Sequence, residues 1–359
     1  MIFAIRSPVV VIATLACGVS GGALFAWLGL PMPWLLGAIV GAAAAAMAGL
    51  PARVPKGLRN LILVILGLMI GSSIHRDTLA HIARWPVSMT AVAVYVGVVI
   101  TATYHFLRRF AGFDPVTAFF AASPGGILAM TVIGTAFGGR TRSIALTHGV
   151  RIVLVLFTIV FSYHLLLGVG SNLTAPGSGA VPLTANQIIL LTVIGAVGWL
   201  LGALLRLPAG AMLGPLLLVA AAQLLGVKFS PLPAYPLLLA EVVLGSGIGA
   251  DFAGVKPREL ARGMMISLVA TLGMLSLSLM FSLAVRELTG MPLDALFLAL
   301  SPGGLSGVSL VALALGIEPA FVAAHNLLRV LLILIAGPLV FRMIDRRGHR
   351  LTGAGGVSR

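Results

Sequence analysis

The tetrapeptide Ser-Pro-Gly-Gly occurs twice inside apolar runs, at Ser123–Gly126 and Ser301–Gly304, and each Ser is followed 28 residues later by an arginine, Arg151 or Arg329. The copies are offset by 178 residues (123 to 301), and their surroundings keep that offset: Leu66-Gly67 and Ile70-Gly71 return as Leu244-Gly245 and Ile248-Gly249. Leu30-Pro31 with Gly37 returns as Leu207-Pro208 with Gly214, one residue out of step. A repeat of this length constrains the fold more than any motif inside it, because whatever one copy forms the other must form too. The chain accordingly divides into a first repeat (1–178), a second repeat (179–345) and a basic tail (346–359).

With 59% hydrophobic and 9% charged residues and a mean hydropathy of +1.12, the chain lacks the polar residues needed to cover a water-soluble globule. It reads as an all-α polytopic membrane protein whose first partner is the lipid bilayer. The 44 glycines suit close helix packing in lipid. Cys17 is the single cysteine, which excludes an internal disulfide and any cysteine metal cluster. The net charge of +14 is spread over short loops and gathers at Arg342, Arg346, Arg347 and Arg350. That distribution signals cytoplasmic loops, not a nucleic-acid face, so no direct nucleic-acid partner is expected. The run from Val9 to Leu28 has a counterpart at 187–205 and is read as a membrane helix, not a signal peptide.

Apolar segments fall near 8–28, 34–50, 59–74, 87–107, 115–138 and 144–168, and again near 186–205, 210–227, 232–250, 263–285, 293–316 and 319–341. Segments 115–138 and 293–316 carry the Pro-Gly-Gly breaks. The linker 168–187 has no charged residue and is placed outside, whereas the arginine-rich C-terminus is placed inside. Each repeat then crosses an odd number of times: about five transmembrane helices plus one broken re-entrant hairpin. Both termini are cytoplasmic in this scheme, in a bacterial inner membrane. Arg6, the Arg53/Lys56/Arg59 cluster, Arg108/Arg109, Arg140/Arg142, Arg206 and the Lys256/Arg258/Arg262 loop agree with it. Lys228, Arg286 and the loop 75–84 do not. An odd count inverts the second repeat, so the two breaks enter from opposite faces and can meet near the midplane.

Non-helical backbone at membrane depth is tolerated only where protein or a cavity supplies partners, and matched interruptions in inverted repeats point to a transporter's binding site. Ser123, Pro124, Gly125, Gly126, Ser301, Pro302, Gly303 and Gly304 are therefore the candidate substrate cradle. The new half-helix after each break would turn its free N–H groups and positive dipole end toward an anion. The alternative is a proline-kinked crossing whose glycines only pack. Arg151 and Arg329 are read either as counter-charges for an anionic ligand or as side chains that snorkel to the interface or tie hairpin carbonyls to the last helix of each repeat. His148, His325 and Asn326 lie within four residues of them. With Glu241, an acid well inside an apolar segment, they are the coupling candidates, although a histidine satisfied by a carbonyl is the simpler reading. The repeat counterpart of Glu241 is the apolar Leu63. Asp114 and Asp294 precede the breaks as helix N-caps or interfacial anchors. Asn172-Leu173-Thr174 fits a glycosylation pattern. No metal spacing or phosphate loop stands out, so no cofactor and no metal is expected.

Leu-Gly-x-x-Ile-Gly at 66–71 and 244–249, Ser-Pro-Gly-Gly-Ile/Leu, and a later His-x-x-Arg or Asn-x-x-Arg together resemble the AbrB-type integral membrane protein family over residues 8 to 342. The resemblance implies an internally duplicated membrane protein, and it carries the labels ammonia monooxygenase and regulator of gene expression. Weighed with the residues, the expected role is a secondary transporter or transporter-like sensor of a small, anionic metabolite, with homo-oligomer formation left open. A membrane-embedded regulator without transport is the alternative. A membrane monooxygenase ranks below both, and the protein is not expected to be an enzyme.

Overall fold

The computed structural model describes residues 8–74, 85–167, 183–227, 229, 232–233, 235–255 and 257–353. Arg6, the loop 75–84, the Asn172 pattern, Lys228 and Lys256 lie outside the described residues, as do the side chains of Arg258, Arg262 and the C-terminal arginines.

Among the described residues every regular element is a helix, and there are fourteen. The first seven are α1 (Pro8–Trp27), α2 (Pro33–Met47), α3 (Lys56–Ser72), α4 (Trp85–Phe110), α5 (Pro115–Ala122), α6 (Ile127–Ala136) and α7 (Thr141–Leu167). The next seven are α8 (Ala185–Leu204), α9 (Gly210–Leu224), α10 (Tyr235–Ala250), α11 (Pro257–Thr289), α12 (Leu293–Leu300), α13 (Leu305–Leu315) and α14 (Pro319–Gly353). A helix is the natural state for such apolar runs, since in lipid every backbone N–H and C=O must be bonded within its own segment. Six helices, α1, α4, α7, α8, α11 and α14, are long and apolar enough to cross a membrane. The protein is a polytopic helical membrane protein. Helices α2, α3, α9 and α10 have 15 to 17 residues, or about 22–26 Å of rise, against a hydrocarbon core of about 30 Å.

Packing between the two halves is reciprocal. Helix α2 lies on α10 as α9 lies on α3, α1 meets α10 as α8 meets α3, and α7 meets α11 as α14 meets α4. Glycines make the closest of these contacts possible. Gly245 and Gly249 of α10 sit on the carbonyls of Leu35 and Ile39, while Gly67 and Gly71 of α3 sit on those of Met212 and Leu216. Within each half, Gly21 faces Gly37 and Gly198 faces Gly214, backbone against backbone. The repeated Leu-Gly-x-x-Ile-Gly stretches are thus packing surfaces between halves.

These contacts sort the helices into two bundles. One contains α1–α3 with α8–α10; the other contains α4–α7 with α11–α14. Each bundle draws on both halves of the chain. Between them, α13 rests on α3 and α10, α14 touches α3, and α2 touches α7. One buried apolar cluster spans both bundles, with Leu35 and Leu66 from the first and Leu156, Leu310 and Val311 from the second.

Candidate functional site

Each broken segment is a helix, a four-residue break and a second helix. Ser123 ends α5 in an extended conformation (φ −75°, ψ 116°), and Ser301 ends α12 likewise (φ −66°, ψ 136°). The prolines that follow have no N–H and cannot continue the helix. Gly126 and Gly304 then adopt φ 94° and 86°, a region open essentially to glycine alone, and launch α6 and α13. Neither of these second helices has a side-chain cap. Ser123 and Ser301 turn their hydroxyls back to the carbonyls of Phe119 (2.8 Å) and Phe297 (2.6 Å). Both serines are fully buried.

Each break leans on the last helix of the opposite half. Gly125 sits against Ile333 of α14, where an added methyl would come within 2.6 Å of the Ile333 side chain. Gly303 sits against Val155 of α7, where a methyl would come within 2.8 Å. Val155 and Ile333 are each one turn beyond Arg151 and Arg329, so both tips and both arginines share one level of the bundle.

Arg151 and Arg329 are 3% and 1% exposed, which excludes snorkelling to an interface. Arg151 donates Nη1 to the Ala121 carbonyl at 3.3 Å and Nη2 to His148 Nδ1 at 2.7 Å. Since Nδ1 accepts, the neutral His148 ring carries its proton on Nε2 and donates it to the Phe120 carbonyl at 2.9 Å. Arg329 donates Nη1 to the Ser301 carbonyl and, at 3.5 Å, to that of Leu300. The arginines therefore hold the unpaired carbonyls at the ends of α5 and α12. Arg151 is close enough to Arg329 for the two charges to repel, and the Tyr95 hydroxyl lies within the electrostatic reach of both. Among the described residues neither forms an ion pair.

Asn326, the counterpart of His148, is fully buried and donates Nδ2 to the Val322 carbonyl at 2.8 Å. His325 faces elsewhere: its Nδ1 donates to the Phe321 carbonyl, and its Nε2 meets Ser88 Oγ, both at 2.8 Å, beside Trp85. Glu241 on α10 is 4% exposed and has neither a hydrogen bond nor an ion pair with the described residues. The structure sets Ser123–Gly126 beside Arg151 and His148, and Ser301–Gly304 beside Arg329 and Asn326, with each break leaning on the last helix of the other half. It places His325 at the start of α4 and Glu241 in the other bundle.

Tyr95 and Ser278 join the site without having stood out in the sequence. The Tyr95 hydroxyl is 2.8 Å from Ser278 Oγ, which lies 3.3 Å from the Leu300 carbonyl that Arg329 also approaches. Each is one of several hydroxyls in its apolar span, so the sequence did not single it out. At the entrance of the first hairpin Asp114 caps α5, accepting from Thr117 N–H at 2.8 Å, and pairs with Arg140 at 3.1 Å. Asp294 is not an N-cap. Pro292 holds that position, and Asp294 sits in the first turn of α12, bonded to the Ala295 N–H. Among the described residues no three His, Cys, Asp or Glu side chains converge as a metal site requires.

The profile of a family described as "AbrB: Transition state regulatory protein AbrB" matches residues 34–345. A Bacillus subtilis (strain 168) protein named "Uncharacterized protein YhjN" is 25% identical over 366 residues, covering 94% of this chain and 93% of its own. An Escherichia coli (strain K12) protein named "Putative regulator AbrB" is 26% identical over 317 residues, covering 88% of this chain and 91% of its own.

Proposed function

Given that the chain belongs to the AbrB family, we propose that it is a bacterial inner-membrane transporter or transporter-like sensor that binds a small anionic metabolite where its two broken helices meet. The observation that carries this reading is the pair of buried guanidiniums, Arg151 and Arg329, at the two breaks, neither of them paired with a carboxylate among the described residues. Burying a charge without a counter-charge costs several kcal/mol, and an anionic ligand supplies the missing partner. The uncapped N-termini of α6 and α13 favour the same sign of charge.

The reciprocal helix contacts and the 178-residue offset support two inverted copies of one unit, each with about five crossings and one re-entrant hairpin. Division into two bundles that share a buried apolar cluster suits alternating access, in which the bundle holding the breaks moves against the other and exposes the site to each face in turn. Glu241, on α10 in the bundle that does not hold the breaks, is the proposed coupling acid. Thermal-stability screening of the detergent-purified protein against small carboxylates, amino acids, ammonium and common cations tests the reading. Stabilisation by an anion that is lost in Arg151→Ala and Arg329→Ala, together with flux of that anion into proteoliposomes, is the expected result. Stabilisation by cations alone, unchanged in those variants, would move the site to Glu241.

The name of the Escherichia coli relative favours a second reading, a membrane-embedded regulator in which ligand binding without transport suffices. Binding without flux would select it. A monooxygenase would instead hold copper or iron, which metal analysis of the purified protein detects.

A further inference from the structure

Arg151 and Arg329 occupy matching places, but their donors are used differently. Arg151 spends Nη1 on Ala121 and Nη2 on His148, leaving Nε alone without a partner. Arg329 spends only Nη1, on the Leu300 and Ser301 carbonyls, while its Nε and Nη2 are buried and make no hydrogen bond. One residue accounts for the difference. His148 accepts from its arginine, whereas its counterpart Asn326 turns Nδ2 to the Val322 carbonyl of its own helix and leaves Oδ1 without a partner.

In a guanidinium, Nε and Nη2 form one edge whose two parallel N–H bonds match the two oxygens of a carboxylate. A chloride ion meets such an edge at a single centre. A tetrahedral dianion brings more oxygens than the edge can serve. Two donors of a buried cation left unmatched are costly, and a ligand that closes the edge removes that cost.

We propose that Arg329 is the ligand-binding arginine of the central site, taking a small carboxylate bidentately through Nε and Nη2, and that Arg151 is a positioning residue whose edge His148 already occupies. This rests on the anion-binding reading above and adds to it the class of anion and the choice between two similar arginines.

The test uses the detergent-purified full chain and follows thermal stability against acetate, lactate and succinate, with acetamide, chloride and sulfate as controls at matched ionic strength. Stabilisation by at least one carboxylate and none by acetamide is expected. Arg329→Lys, which keeps the charge but loses the fork, should raise the half-saturating concentration about 10- to 150-fold, the worth of one charge-assisted hydrogen bond. Arg151→Lys, which disturbs only the positioning contacts to Ala121 and His148, should raise it less than Arg329→Lys does. Asn326→His places beside Arg329 the acceptor that Arg151 already has and should weaken binding without altering either arginine, which keeps the test open if Arg329→Lys does not fold. Equal stabilisation by chloride or sulfate overturns the carboxylate assignment but leaves the anion reading standing. Affinity lost in Arg151→Lys and kept in Arg329→Lys and Asn326→His overturns the choice of Arg329 and likewise leaves the anion reading standing. No stabilisation by any anion in the wild-type chain overturns both.

Discussion

Gly126 and Gly304 show how much of the site rests on single residues. Open space surrounds each position where a side chain would start, so the cost of Gly304→Ala is conformational and not steric. At φ 86° that cost is about 1–3 kcal/mol, visible as a lowered melting temperature in detergent. Asp114 offers a residue-scale test in pH. Partial burial raises its carboxyl, but the Thr117 hydrogen bonds and Arg140 outweigh this and hold it below the usual carboxylate range. A carboxyl lowered on folding stabilises the fold fully above its unfolded value of about 3.9, and that contribution is lost as pH falls through the lower folded value. The protection of the Thr117 amide, taken relative to its intrinsic exchange rate, should therefore hold at neutral pH and fall only in acid. Asp114→Ala should lower that protection at neutral pH by the roughly 0.5–2 kcal/mol of a lost N-cap and change it little in acid. Asp114 and both arginines were legible in the sequence because each is a polar residue where a membrane helix rarely affords one. Tyr95 was not, since a tyrosine in an apolar span carries no sign of which hydroxyl or carbonyl it will meet.

At the level of elements, the short helices α2, α3, α9 and α10 owe their contacts to glycine. Gly249 approaches the Ile39 carbonyl so closely that even a methyl would collide with backbone, and Gly71 meets the Leu216 carbonyl in the same way. Gly249→Val should cost about 1–3 kcal/mol or more by overpacking, and Gly71→Val a similar amount, because the two contacts are reciprocal. Gly97 on α4 has open space around it, so Gly97→Val should leave the melting temperature nearly unchanged. Comparison of the three melting curves checks the pattern. Helix positions were readable from hydropathy, and the broken segments from Pro-Gly-Gly. The role of Leu-Gly-x-x-Ile-Gly was not, because a glycine in an apolar run looks the same whether it faces lipid, a ligand or another backbone.

On the scale of the whole molecule, the proposed inversion of the second half makes a direct prediction. Single cysteines placed at Ser143, at the start of α7, and at Glu318, at the start of α14, in a chain with Cys17 replaced, should react with membrane-impermeant reagent from opposite faces. Reaction of both from one face would sink the inverted arrangement and, with it, the meeting of the two hairpins from opposite sides.

The amino-acid sequence alone determined that this is a helical membrane protein of the AbrB family with two matched interruptions, since hydropathy, glycine content and a 178-residue offset are properties of the chain in one dimension. Only the tertiary structure decided which elements meet. Each hairpin tip rests on the final helix of the other half, the fourteen helices divide into two bundles that each mix both halves, and the arginines bond hairpin carbonyls instead of reaching an interface. Such contacts join residues far apart in the chain, and shape complementarity between buried surfaces selects them. Local pattern has no means of expressing that selection.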